Sequence, residues 1–233
     1  MNPAPNLAML ERIAAAIGPL RKRMVLLGGC ATGLLLTDPA AAPIRATRDV
    51  DLIVETPGGR SDYFKLEKEL TRCGFRHDQS AGAPICRWTL GDLLVDVMPT
   101  DPAVLGFTNR WYPEALETSW LARLPSGVEI PVVSPAAFLA TKLEAFFGRG
   151  RGDFEASHDI EDLVSVVDGR EGIVDEVLAS HEPLRSYLAV EFGRLLADKR
   201  FLSALAGHLL SDSGSQARLP LLLERLHAIA APE

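Results

Sequence analysis

Asp49 and Asp51 flank a single valine in a segment that is otherwise apolar, Val50 and Leu52-Ile53-Val54. In a β-strand, residues i and i+2 leave the same face about 7 Å apart, so the two carboxylates project together. Held that close they repel, and a divalent cation between them removes the repulsion; carboxylate oxygens are the ligands Mg²⁺ takes when it also binds substrate phosphates. A third acid, Asp96, falls mid-strand in Leu93-Leu94-Val95-Asp96-Val97-Met98, where an unpaired charge is costly to bury. Asp49, Asp51 and Asp96 together point to one metal site. The competing reading is an acid pair that faces water on an edge strand or accepts bonds from a turn.

Gly28-Gly29 lies upstream, between a short strand, 24–27, and a brief helix, 30–36. Glycines in that place let backbone amides approach a phosphate, and the helix N-terminus adds partial positive charge. Thr32 offers a hydroxyl to the same phosphate. Arg45 and Arg48 stand just before the acid pair, and Arg149 and Arg151 stand in the run Gly148-Arg149-Gly150-Arg151-Gly152. Positive charge gathered around the site is one reading of these arginines, and plain solvated charge in loops is the other.

Lys142 is out of place by a different criterion. Phe138, Leu139, Leu143 and Phe146 repeat at helical spacing, and Lys142 falls inside their stripe. An ammonium there must meet an anion or snorkel to water. The chain has five lysines, so this one is not part of a general cationic coat. In the following helix Ile160, Leu163, Val164 and Val167 form the inner stripe, and Asp159 is nearer to it than Asp162. Ser157 and these acids are equally suited to plain helix-start chemistry, and His158 reads as a surface or capping residue.

The elements that position these residues can be read from periodicity. Leu7, Leu10, Ile13, Ala14, Ile17 and Leu20 predict a first helix ending at Arg21-Lys22-Arg23. Another helix is predicted over 61–73, and strands over 75–77, 86–90 and 93–98, the last two joined as a hairpin by Gly91-Asp92. A less regular stretch containing Pro99, Pro102 and Pro113 leads to a second hairpin, 120–124 with 129–133. From Pro135 the pattern is helical: 135–147, 158–168, 171–180, 183–207 and 216–230. This gives an α+β class with an N-terminal core, 1–134, and a helical C-terminal region, 135–233, whose first helices complete the cleft.

With 233 residues, 47% of them hydrophobic, the chain can build a large core or two smaller ones. A net charge of -7 argues against a surface made for broad contact with nucleic-acid backbone. Cys30, Cys73 and Cys86 are widely spaced, with no C-x-x-C pair, and suit a reducing cytoplasm better than a disulfide framework or a zinc site. No signal peptide and no membrane-length apolar run is read, so a soluble protein is expected.

Taken together, Gly28-Gly29-Cys30-Ala31-Thr32, then Arg45-Ala46-Thr47-Arg48-Asp49-Val50-Asp51-Leu52, then Lys142 and Asp159-Ile160-Glu161-Asp162-Leu163 resemble the AbiEii-type branch of the nucleotidyltransferases, within the DNA polymerase β-like superfamily. The likeness runs over about residues 24–168. It implies a mixed β-sheet with flanking helices, a nucleoside triphosphate such as ATP as substrate, Mg²⁺, and transfer of a nucleotidyl group to an acceptor. Several members of that family are toxins of toxin-antitoxin pairs that modify tRNA ends. On that reading Asp49 and Asp51 hold metal and triphosphate, and Asp96 activates the acceptor or binds a second metal. Gly28, Gly29, Thr32 and Arg48 hold the nucleotide, and Lys142, with Asp159 nearby, neutralises developing charge. The stretch from Gly29 to Asp49 is longer than in minimal members, and Asp38-Pro39-Ala40-Ala41-Ala42-Pro43 reads as an added loop over the site. Two alternatives stay open: a small-molecule or protein acceptor, and a non-catalytic nucleotide-binding or antitoxin-like interaction protein.

Overall fold

The computed structural model describes residues 5–149 and 152–231; Gly150 and Arg151 of the Gly/Arg run lie outside them. The first apolar repeat forms α1 (Pro5–Ile17), and the helix stops earlier than the repeat because Gly18 turns left-handed at φ 58° ahead of Pro19. A 3₁₀ segment, Gly18–Arg23, takes over. Then come β1 (Met24–Leu27), α2 (Gly28–Leu35), β2 (Asp49–Val54), α3 (Arg60–Arg72), β3 (Arg76–His77), β4 (Arg87–Leu90) and β5 (Leu93–Pro99). The proline-containing stretch is more regular than expected: it holds α4 (Pro102–Leu105) and α5 (Tyr112–Glu117), each with proline in its first turn, where the missing N–H costs nothing. The strands β6 (Trp120–Arg123) and β7 (Glu129–Val132) follow.

Among the described residues seven strands form one mixed sheet in the order β3-β4-β5-β2-β1-β7-β6. The central strands β1, β2 and β5 carry its most apolar sequences, and Val50, Leu52, Val95 and Val97 are fully buried. β2 runs antiparallel to β1 and parallel to β5, so Asp51 stands between Leu27 and Asp96. β4 returns antiparallel to β5 through Gly91-Asp92, which sets Arg87 opposite Asp96. Helices flank the sheet: Leu10, Ile13 and Ile17 of α1 and Tyr63, Leu66 and Leu70 of α3 are buried, and the Tyr63 hydroxyl donates to the Val97 carbonyl at 2.9 Å.

The remaining elements are helical: α6 (Pro135–Arg149), α7 (His158–Gly169), α8 (Ile173–Leu178), α9 (Glu182–Ala197), α10 (Lys199–Ala204), a 3₁₀ turn Leu205–His208, α11 (Ser213–Gln216) and α12 (Leu219–Ala230). The single helix expected over 183–207 is broken at Asp198. That residue is extended, and its side chain accepts from the Arg200 N–H, ending α9 and capping α10 in one step. Phe138, Leu139, Leu143 and Phe146 of α6 are buried together with Ile160, Leu163 and Val167 of α7, Leu188 and Phe192 of α9, and Leu226 of α12. No helix among the described residues is long and apolar enough to cross a membrane.

Two compact units result: Met1–Leu34 with Arg45–Ser134, and Leu35–Ile44 with Pro135–Glu233. The segment around Asp38 therefore goes with the helices. Arg218 fixes it there, donating to Asp38 at 2.7 Å and to both oxygens of the buried Asp168 at 2.9 Å. Gly169 is needed at this anchor, because a Cβ would lie 2.8 Å from Leu36 and 2.9 Å from Ala41.

Candidate functional site

Strand geometry places Asp49 and Asp51 on one face of β2, and the parallel register with β5 sets Asp96 beside Asp51. The antiparallel register with β4 extends the row to Arg87. Asp96 is 7% exposed, and its charge is met by a bidentate pair: Arg87 Nε donates to Oδ1 and Nη2 to Oδ2, both at 2.8 Å. The same Nη2 donates to Asp49 Oδ2 at 2.6 Å. One guanidinium thus joins acids from two strands, a fork geometry that lysine lacks. The hydrogen bonds to Asp96, working against partial burial, hold the Arg87 pKa above its usual value. Next to it, burial and then the Asp96 charge push the Cys86 thiol up to about 12.

Arg87 was not anticipated from the sequence, yet a signal was present. A two-residue turn at Gly91-Asp92 pairs Leu90 with Leu93, and counting three residues outward on each strand puts Arg87 across from Asp96.

The other oxygen of Asp49, Oδ1, accepts from the Thr47 hydroxyl at 3.1 Å, and the Cys30 thiol contacts the Asp49 carbonyl at 3.4 Å. Asn6, buried in α1, clamps the approach to β2: its amide donates to the Arg45 carbonyl and its oxygen accepts from the Thr47 N–H, both at 2.9 Å. A lone Asn at a helix start gives no sequence signal for a contact 39 residues away. Arg48 is exposed.

Gly28 is required by two independent facts. Its φ is +69°, and an added Cβ would lie 1.8 Å from Asp51 Oδ2 and 2.6 Å from Asp51 Cγ. Gly29 is less tightly constrained: a Cβ there would lie 3.0 Å from the mobile end of Arg45 and 3.3 Å from Thr47. The glycines expected to approach phosphate therefore also admit the side chains of the site itself. Gly28→Ala should lower stability by about 1–2 kcal/mol through the left-handed backbone alone. It should also displace the Asp51 carboxylate, and an intact urea midpoint would contradict the geometry. Thr32, one turn into α2, is buried, and its hydroxyl oxygen has no hydrogen-bond partner among the described residues.

The second cluster lies in the helical unit. Lys142, 8% exposed, donates to Asp162 Oδ2 at 2.7 Å and to Asp159 Oδ1 at 3.2 Å, with its ammonium 5.7 Å from the centre of the Phe138 ring. The anion that its position demands is thus a pair of carboxylates. Asp162, read as lying further from the inner stripe than Asp159, is the more deeply buried at 2% exposure. The reason is that α7 is covered on more than one side: Asp162, Val166 and Asp168 are buried as well as the expected stripe. Ser157 caps α7 by accepting from the Ile160 N–H, and His158 pairs with Glu161 at the surface.

Among the described residues no group of three or more His, Cys, Asp or Glu side chains is arranged to hold a metal ion. In the carboxylate row Arg87 bonds both oxygens of Asp96 and one of Asp49. A cavity of about 640 Å³ lined by Tyr63, Phe64, Glu67, His77 and Ile85 contains none of the row's acids.

No protein-family model matches the chain. No curated protein matches it either. Among solved structures it is similar to JHP933 from Helicobacter pylori, at 13% identity and a TM-score of 0.49, over 97% of this chain and 93% of that one.

Proposed function

We propose that this chain is a Mg²⁺-dependent nucleotidyltransferase of the AbiEii type, with the polymerase β-like sheet, that moves a nucleoside monophosphate from a triphosphate to an acceptor. The observation that carries the reading is the carboxylate row: Asp49 and Asp51 on one face of β2, with Asp96 in register beside Asp51 and Gly28 shaped to admit Asp51 at the start of α2. The donor set fits a hard cation, since it is made of carboxylate oxygens and already attracts one cation, the Arg87 guanidinium.

Asp49 and Asp51 would hold Mg²⁺, which when bound supplies charge neutralisation on the triphosphate. Asp96 takes the proton of the acceptor hydroxyl as its oxygen forms a bond to the α-phosphorus. The bond from that phosphorus to the β-phosphate oxygen breaks, and pyrophosphate leaves. The N-terminus of α2 offers amides and partial positive charge to the phosphates. Lys142 and Asp159 are left to their mutual ion pair and are given no chemical step.

An RNA end, such as that of tRNA, is the proposed acceptor, and a toxin-antitoxin pair the proposed setting. The acidic net charge of -7 favours contact with a terminus over contact along a backbone. The test is incubation with each α-labelled triphosphate, Mg²⁺ and total RNA. Label should enter RNA from one triphosphate with release of pyrophosphate, and EDTA should stop it. Label entering a small molecule or protein instead would move the acceptor, and no binding of any triphosphate would overturn the proposal.

A further inference from the structure

We propose that Arg87 is a built-in counter-cation that competes with the divalent metal, so that the ion enters only as the guanidinium leaves. The inference rests on the metal reading of the carboxylate row and adds a control to it. Arg87 Nε and Nη2 sit 2.6–2.8 Å from Asp49 Oδ2 and from both Asp96 oxygens. A Mg²⁺ ligand oxygen lies about 2.0–2.1 Å from its ion, and a guanidinium and an ion cannot share these oxygens at such ranges without strong repulsion. Binding a cation at Asp49 therefore competes directly with one charge-assisted bond, from a guanidinium that two further such bonds hold on Asp96.

The register makes this arrangement specific. Arg87 is placed by the β4–β5 hairpin directly opposite Asp96 and reaches Asp49 across the intervening strand. It brings one positive charge to Asp49 and Asp96 on that sheet face. Arg87 thus keeps the metal-free row stable and lowers its affinity for the ion. These two effects are linked, because whatever stabilises the metal-free state weakens metal binding by the same factor. Arg87 acts through the carboxylates and is a positioning residue.

The experiment measures Mn²⁺ alone, by loss of the free-ion electron paramagnetic resonance signal, on the full chain. Arg87→Gln should bind Mn²⁺ about tenfold more tightly than the unaltered protein, whereas Arg87→Lys, which keeps the charge, should stay near it. Adding Asp49→Asn to Arg87→Gln should cancel the gain and place the ion at this row. If Arg87→Gln does not fold without metal, Asp96→Asn is compared with Asp96→Asn plus Arg87→Gln, and the neutral member must again bind more tightly. Equal Mn²⁺ affinity with and without the guanidinium would overturn the proposal and leave the metal site standing. No Mn²⁺ binding by any of these proteins would overturn the metal reading itself.

Discussion

Lys142→Met should destabilise the helical unit by about 3–5 kcal/mol, the usual cost of removing one partner from a buried ion pair. Methionine matches the lysine stem in volume and suits the stripe of Phe138, Leu139, Leu143 and Phe146. It leaves Asp162, 2% exposed, without the ammonium that lies 2.7 Å away. The sequence alone leads to the opposite expectation, a variant of unchanged stability that loses activity, because periodicity shows the buried cation and not its anion. The measurement is a urea denaturation midpoint. Replacing Asp162 with leucine in the same protein should recover much of the loss, since an apolar pair can take the place of a buried ion pair. Native stability in Lys142→Met together with lost nucleotidyl transfer would return this lysine to the triphosphate.

On the proposed function, Asp51→Asn should reduce nucleotidyl transfer by on the order of 100-fold or more in a protein that still folds. The substitution keeps the shape that Gly28 accommodates and removes one negative charge from a row in which Asp96 is the neighbour in register. Asp49→Asn should lose activity to a similar degree but should also soften the fold, because Asp49 accepts from both Arg87 and Thr47. Full transfer activity in either variant would remove the carboxylate row from the chemistry.

Local chain geometry explains what could be read without a structure. A period of two puts Asp49 and Asp51 on one face whatever the sheet does, and the apolar stripe of α6 marks Lys142 as buried whatever it meets. Gly91-Asp92 even encodes the partner of Asp96, since hairpin register is set by the turn. The same locality explains the misses. Helical periodicity runs through Asp198 because a capping residue interrupts a helix without disturbing the apolar pattern around it. A helix covered on more than one side has no single inner stripe, which is why Asp162 and not Asp159 proves the more buried.

The sequence by itself determined the acid pair, the carriers of the sheet and the buried cation, because each depends on spacing within one element. Only the tertiary structure decided that Asp51 stands beside Asp96, for β2 and β5 are parallel and separated by a long crossover in which no turn sets the register. It alone decided that Gly28 must lack a side chain for the sake of Asp51, that Asn6 clamps the segment leading into β2, and that Arg87 reaches past Asp96 to Asp49. Apart from the Arg87–Asp96 pair, those contacts join residues far apart in the chain, brought together by packing that no local pattern records.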